Sequence, residues 1–288
     1  MSIIGSIGNV VEAAFDRPVV ARDQILRAVS ADGVNFTRDE GWRWKRPFTL
    51  RPYMNYFVTR DAGGGYWWRS SECRNGDWST ILFSDTGYID AVVLDLKNIA
   101  APVWCEGHMF ALVTDRSGQT YVAMSSGSEK SITTFERLDW PRLDELGDVD
   151  DIFVLKAADE YFGWASCGAG DRAIHAWTSR DGRDWAYQAK AIVSQAGETI
   201  VNNPCVVALA DGRYRMYHRA SRNPAYGSRI VSSVSTDLRR WSREEGVRLA
   251  PGGRWDKHGV AFPAVFREAD RFVLYYAGYW GDCADGDR

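Results

Sequence analysis

Two adjacent carboxylates, Asp150 and Asp151, open the apolar run Val149-Asp150-Asp151-Ile152-Phe153-Val154. Side chains alternate along a strand, so one of the pair faces inward and the other does not. An inward Asp151 is either a proton donor whose pKa burial has raised or a holder of a ligand hydroxyl. A carboxylate that caps backbone amides where the strand begins is the plainer alternative. Asn55, Asn202 and Asn203 each offer a donor and an acceptor, which suits a polyol, a carboxamide or ordered water, or simply ties strands together. In Trp255-Asp256-Lys257-His258 an imidazole that titrates near neutrality stands two residues from a carboxylate, so His258 is a candidate acid or base with Asp256 as its partner. Glu198, four residues before Asn202, is a third candidate for proton transfer. His218, next to Arg219, and Arg51, with Arg254 and Lys257, are candidates for holding a ligand, the cations through a carboxylate or phosphate. Catalysis thus falls to Asp151, His258 and Glu198, and ligand binding to Asn55, Asp150, Asn202, Asn203, His218 and Arg51. No cluster has metal-ligand spacing, and no motif implies a cofactor.

These residues need elements to carry them, and the chain supplies a repeat. The pattern Ser-x-Asp-x-x-x-aromatic occurs as Ser30-x-Asp32…Phe36, Ser179-x-Asp181…Trp185 and Ser235-x-Asp237…Trp241, each time after a short strand-like run. The Asp can close a tight turn with its side chain while the aromatic covers it from the next strand. A second pattern is an apolar strand, a polar turn and an aromatic-rich strand, starting at Asn55, Ala101, Asp151, Asn203 and Phe262. These starts are roughly fifty residues apart, and proline follows three of them as Pro102, Pro204 and Pro263. Together the two patterns make a unit of four short antiparallel strands, and such units stack radially around a channel. The expectation is an all-β, five-bladed β-propeller of four-stranded antiparallel blades in a single domain over 1–288. The blades fall at about 24–73, 77–116, 120–168, 172–222 and 229–281, with a strand from residues 1–23 closing the ring. A two-sheet sandwich is the alternative, but it would not need the repeat.

Composition bounds the function. The 288 residues carry 45% hydrophobic and 25% charged side chains and a net charge of −3, with 13 Trp, 13 Tyr, 12 Phe and 27 Gly but only 9 Pro. Aromatic and glycine enrichment without helical periodicity favours strands. The acidic balance argues against a nucleic-acid partner, and no apolar run is long enough to span a bilayer. The N-terminal stretch lacks a basic n-region, and the five cysteines are odd in number and scattered. Both point to a cytoplasmic protein with free thiols. The expected partner is a small-molecule or saccharide ligand, with oligomeric state open.

The arrangement resembles the five-bladed β-propeller glycoside hydrolases, the superfamily of arabinanases, xylosidases and levansucrases that also includes mannoside phosphorylases. The resemblance runs over roughly residues 24–281 and lies in the repeat. It implies a carbohydrate-active enzyme with its site in a central funnel, where the first strand of each blade points a carboxylate inward. Asp150-Asp151 resembles the third-blade aspartate that orients substrate and tunes the acid. Asn55 stands where the first blade carries its base or nucleophile, and Asn202-Asn203-Pro204 stands where the fourth carries Glu-Gly-Pro. An amide cannot exchange a proton at neutral pH, so the resemblance leaves the second proton-transfer group to Glu198 or His258. The alternatives are an enzyme of small-molecule metabolism on the same scaffold, performing a cyclisation, elimination or isomerisation, and a lectin-like binder without catalysis.

Overall fold

The computed structural model describes residues 22–280, apart from 44–52, 62, 75–76, 85–86, 91–94, 129–130, 148, 168–171 and 223–226. Strands β1 (Arg22–Ser30) and β2 (Thr37–Arg43) come first. They are followed by β3 (Tyr53–Arg60), β4 (Tyr66–Arg74), β5 (Asp77–Ser84) and β6 (Gly87–Asp90), then by β7 (Leu96–Cys105), β8 (His108–Asp115), β9 (Thr120–Ser128) and β10 (Ser131–Arg137). After a 3₁₀ turn at Asp144–Leu146 come β11 (Val149–Ala157), β12 (Glu160–Cys167), β13 (Ala173–Ser179) and β14 (Trp185–Val193). The chain continues with β15 (Ile200–Ala208), β16 (Tyr214–Ser221), β17 (Arg229–Ser235) and β18 (Ser242–Arg243), and ends with β19 (Gly259–Glu268) and β20 (Arg271–Trp280).

These strands pair into four-stranded antiparallel sheets: β3 to β6, β7 to β10, β11 to β14, β15 to β18, and β19-β20-β1-β2. The fold is an all-β propeller built from four-stranded antiparallel blades. The first strands β3, β7, β11, β15 and β19 contact one another in that order, and β19 touches β3 again. Neighbouring sheets share apolar cores. Trp140, Trp177 and Trp185 join Phe110 and Leu112 between the β7–β10 and β11–β14 sheets, and Leu26, Tyr217, Leu274 and Tyr276 join the β15–β18 sheet to the last one. Because each sheet is covered on both faces, a third strand such as β13 is buried at every position and shows no alternation.

The blade boundaries expected from the sequence need correction. Each sheet begins with the strand that carries the Asn55, Ala101, Asp151, Asn203 or Phe262 marker, and the Ser-x-Asp turn comes late, after the third strand. The unit 172–222 therefore joins two strands from each of two sheets. The closing strands come from residues 22–43, since β1 pairs with β20 from Arg22 opposite Trp280 to Ser30 opposite Phe272. Residues 1–21, the other proposed source, lie outside the described residues.

The three Ser-x-Asp turns are built alike. Asp181 Oδ1 accepts hydrogen bonds from the backbone N–H groups of Arg183 (2.8 Å) and Asp184 (2.9 Å) and from Ser179 Oγ (3.0 Å). Ser179 Oγ in turn accepts from Gly182 N. Asp32 and Asp237 repeat the arrangement with Ser30 and Ser235. The covering aromatics Trp185 and Trp241 donate their indole N–H groups to the carbonyls of Gly182 and Leu238.

Candidate functional site

All five first strands break register near their middle or start. The breaks lie between Met54 and Phe57, Ala100 and Val103, Val149 and Asp151, Asn202 and Cys205, and Ala261 and Ala264. These are β-bulges on the inner edge of each sheet, and they turn the strand toward the axis. Ala101, Asn203 and Phe262 hold φ of 45°, 57° and 51°, each just before a proline. Proline costs no ladder bond on an edge strand. Asn tolerates the left-handed region, whereas Ala and Phe are strained there, by on the order of 1 kcal/mol each. The markers spaced along the sequence are thus the bulges of the inner strands.

The bulges surround a cavity of about 470 Å³ on the axis, lined by residues of β3, β7, β11, β15 and β19. Asp151 and Asn203 line it together. Asp151 is 2% exposed, and its Oδ2 accepts from Asn203 Nδ2 (2.5 Å) and Ser166 Oγ (3.2 Å). Asn203 Oδ1 accepts from the Phe262 backbone N–H (3.3 Å), so one polar chain links β12, β11, β15 and β19. Asp151 Oδ1 is buried without a partner. Burial first, and the nearby Asp150 charge second, push the Asp151 carboxyl up to about 7, against the downward pull of Asn203, Ser166 and Arg219. A carboxyl raised this far can give or take a proton near neutrality.

Of the other expected site residues, Asn203 stands with Asp151, and Asp150 and Asn202 sit at the same two bulges without lining the cavity. Asn202 Oδ1 is buried without a partner. Asn55 lies in the β3 bulge by its backbone; its side chain, and Arg51, fall outside the described residues.

Three assignments are corrected by geometry. Glu198, 4% exposed, is held by Arg243 (2.9 Å), Arg229 (3.5 Å) and the Gln195 N–H, and it does not line the cavity. Two guanidiniums make it an anchor of the loop before β15. His218 is fully buried on the second strand β16, between Ser233 and the Arg219 carbonyl. Burial, reinforced by Arg243, lowers its pKa to about 3, so it is neutral and away from the axis. Asp256 is engaged by Arg38 (2.9 Å), the Tyr276 hydroxyl (2.9 Å) and the N–H groups of Gly252 and Gly253, tying its loop to β2 and β20. His258 is half-buried, with its backbone paired to Tyr279 and Gly227, outside the cavity lining.

Sequence reasoning missed Ser166. It was findable, because the two-residue turn Ala158-Asp159 sets a hairpin register that puts Ser166 opposite Asp151. Phe57, which also lines the cavity, carried no such signal. Among the described residues, no three His, Cys, Asp or Glu side chains are grouped as metal ligands would be.

No protein-family model matches the sequence, and no curated protein is similar to it. Solved structures are similar in fold. An α-L-arabinofuranosidase from Podospora anserina in complex with cellotriose superposes with a TM-score of 0.57 at 11% identity, over 80% of this chain and 91% of that one. A structure from the GH130 family of mannoside phosphorylases, which contains glycoside hydrolases targeting β-1,2 mannosidic linkages in Candida mannan, gives 0.52 at 14% identity over 78% and 83%. The GH32 β-fructofuranosidase of Bombyx mori gives 0.54 at 8% identity, over 79% of this chain and 55% of that one. At these identities the likeness is one of fold, and the chain shares the propeller architecture of glycoside hydrolases.

Proposed function

We propose that the chain is a carbohydrate-active enzyme with a closed, five-bladed, single-domain propeller, acting through its axial cavity. Asp151 is the proton-transfer group, and Asn203 and Ser166 orient it. The observation that carries this reading is a buried, near-neutral carboxyl at the axis of a fold shared with glycoside hydrolases and a phosphorylase family. Asn55 contributes to binding from the same ring of bulges, and Asp150 and Asn202 flank the cavity there. The chemistry that best fits one axial acid is phosphorolytic, in which the attacking phosphate needs no second protein carboxylate. Hydrolysis requires two carboxyl groups across the scissile bond.

The free thiols of Cys105 and Cys205, among the described residues, fit a cytoplasmic location. No helix among the described residues is long and apolar enough to cross a membrane.

A second reading is an enzyme of small-molecule metabolism on the same scaffold. Phe57, Phe153 and Phe262 in the cavity wall, with Phe57 and Phe262 edge to face at 5.0 Å, favour a ligand with an apolar body. A thermal-shift screen with saccharides, sugar phosphates and aromatic metabolites separates the two, since a ligand at 100 times its Kd stabilises the fold by about 2.7 kcal/mol. Saccharide hits are expected; aromatic hits alone would favour the second reading. With a substrate in hand, Asp151→Asn should lower kcat by about 100-fold or more. Wild-type turnover in that variant would remove the assignment, and binding without turnover of any substrate would leave a lectin-like binder.

A further inference from the structure

We infer that the axial cavity takes an organic acid, with a hydroxyl or amine head against Asp151 and a carboxylate at the far mouth, where Arg60, Arg267 and Trp104 stand. This rests on the reading above for the location of the site, but not for the sugar nature of the ligand. The cavity has two different polar ends. At one, the Asp151 Oδ1 atom is buried and has no partner. At the other, Trp104 is 9% exposed, and its indole Nε1, which can only donate, is also buried without a partner. Both residues line the same cavity.

Arg60 and Arg267 line the Trp104 end, at the finish of β3 and near the finish of β19. The Arg267 side chain is exposed and makes no hydrogen bond or ion pair among the described residues. Arg60 gives its Nε to the Gly64 carbonyl and lies 5.3 Å from the Tyr66 ring centre, with no carboxylate in a salt bridge to it. The acids of this mouth are already engaged. Asp61 accepts from Gly65 N (2.7 Å) and Trp67 Nε1 (3.0 Å), and Glu268 is held by the Tyr66 hydroxyl and by Arg271 (3.3 Å). On the neighbouring strand ends, Lys156 and Glu106 pair with each other at 3.3 Å. Among the residues that line this end, Arg60 and Arg267 against Asp61 leave one positive charge over, beside an indole donor. A carboxylate answers both.

Between the ends the wall is valine, isoleucine, phenylalanine and proline, so the body of the ligand presents an apolar face there.

The test is calorimetric titration of the full chain with cellobiouronic acid, cellobiose and 4-hydroxycinnamate, repeated on Arg267→Ala and Arg267→Lys after circular dichroism has shown both to be folded. The expected result is that cellobiouronic acid binds at least about tenfold more tightly than cellobiose. The preference should be lost in Arg267→Ala and largely kept in Arg267→Lys. Binding of 4-hydroxycinnamate alone, sensitive to Arg267, would uphold the acid site and remove the carbohydrate reading. Equal binding of cellobiose and cellobiouronic acid would uphold the carbohydrate reading and overturn the acid site. Acid binding that ignores Arg267→Ala, or no acid bound at millimolar concentration, overturns it as well.

Discussion

Asp151 and His218 are both buried, and burial moves each toward its neutral form, in opposite directions on the pH scale. The carboxyl is raised to about 7 in the folded chain, so its contribution to stability is fully present below the ordinary carboxylate value and is lost as pH rises toward 7. Asp151→Asn removes that loss. Urea unfolding should find the variant more stable than the wild type at pH 8, by on the order of a few kcal/mol, and no more stable at pH 4. A difference that did not vary with pH would mean that the carboxyl does not titrate in this range. If the protonated form is the catalytic one, turnover should also decline above about pH 7. His218 works the other way. Its stabilising contribution is present above the ordinary imidazole value and is lost as pH falls toward 3, so His218→Gln should flatten the acid side of the stability profile below about pH 6.5. Asp151 was legible in the sequence because two acids opening an apolar run are an expensive placement. Glu198 and His218 were misread because the arginines and sheet contacts that define them lie far along the chain, Arg243 above all.

The Ser-x-Asp turn is the element the sequence showed most directly, since every bond in it is local. Its fourth residue has positive φ in all three copies: Gly33 at 69°, Gly182 at 77° and Leu238 at 61°. A Cβ on Gly182 would approach Tyr161 no closer than 3.4 Å, so Gly182→Ala should cost only the backbone strain, about 1 kcal/mol. On Gly33 the Cβ would stand 2.8 Å from the Tyr217 hydroxyl and 2.9 Å from Arg215, so Gly33→Ala should cost clearly more. Thermal unfolding of the two variants checks the order. Asp181→Ala strips the turn of its acceptor for two backbone N–H groups and should lose about 1–2 kcal/mol. The bulges were half legible. Asn203-Pro204 and its counterparts marked where each inner strand bends, but their left-handed backbone follows from how the sheets crowd the axis, which spacing alone does not reveal.

At the scale of the molecule, the repeat gave the strand content, while the grouping of strands into sheets was out of phase. The reason is physical: each hairpin looks complete locally, and only long-range pairing decides which two hairpins share a sheet. The last sheet is the extreme case, because its outer strands β1 and β2 come from the opposite end of the described chain. Gly278 marks the tightest point of that seam, where a Cβ would stand 2.5 Å from Leu26 Cδ1 and 2.6 Å from the Trp255 carbonyl oxygen. Gly278→Ala should therefore destabilise by about 1–3 kcal/mol, as overpacking does. Deleting residues 22–43 should leave β20 as a bare edge and drive the chain into aggregates on size-exclusion chromatography. A monodisperse, native-like deletion product would show that the β1–β20 pairing is dispensable.

The same seam sets a clock during synthesis. A ribosome makes β20 some 250 residues after β1, an interval on the order of ten seconds to a minute at ordinary elongation rates. Until then β1 and β2 have no partner sheet, while the intervening sheets can each form from consecutive strands as they emerge. The nascent chain thus carries an open strand edge on β1 and β2 until β20 emerges. Joining the ends and opening the chain at the exposed turn Asp211-Gly212 would move that waiting edge into the β15–β18 sheet.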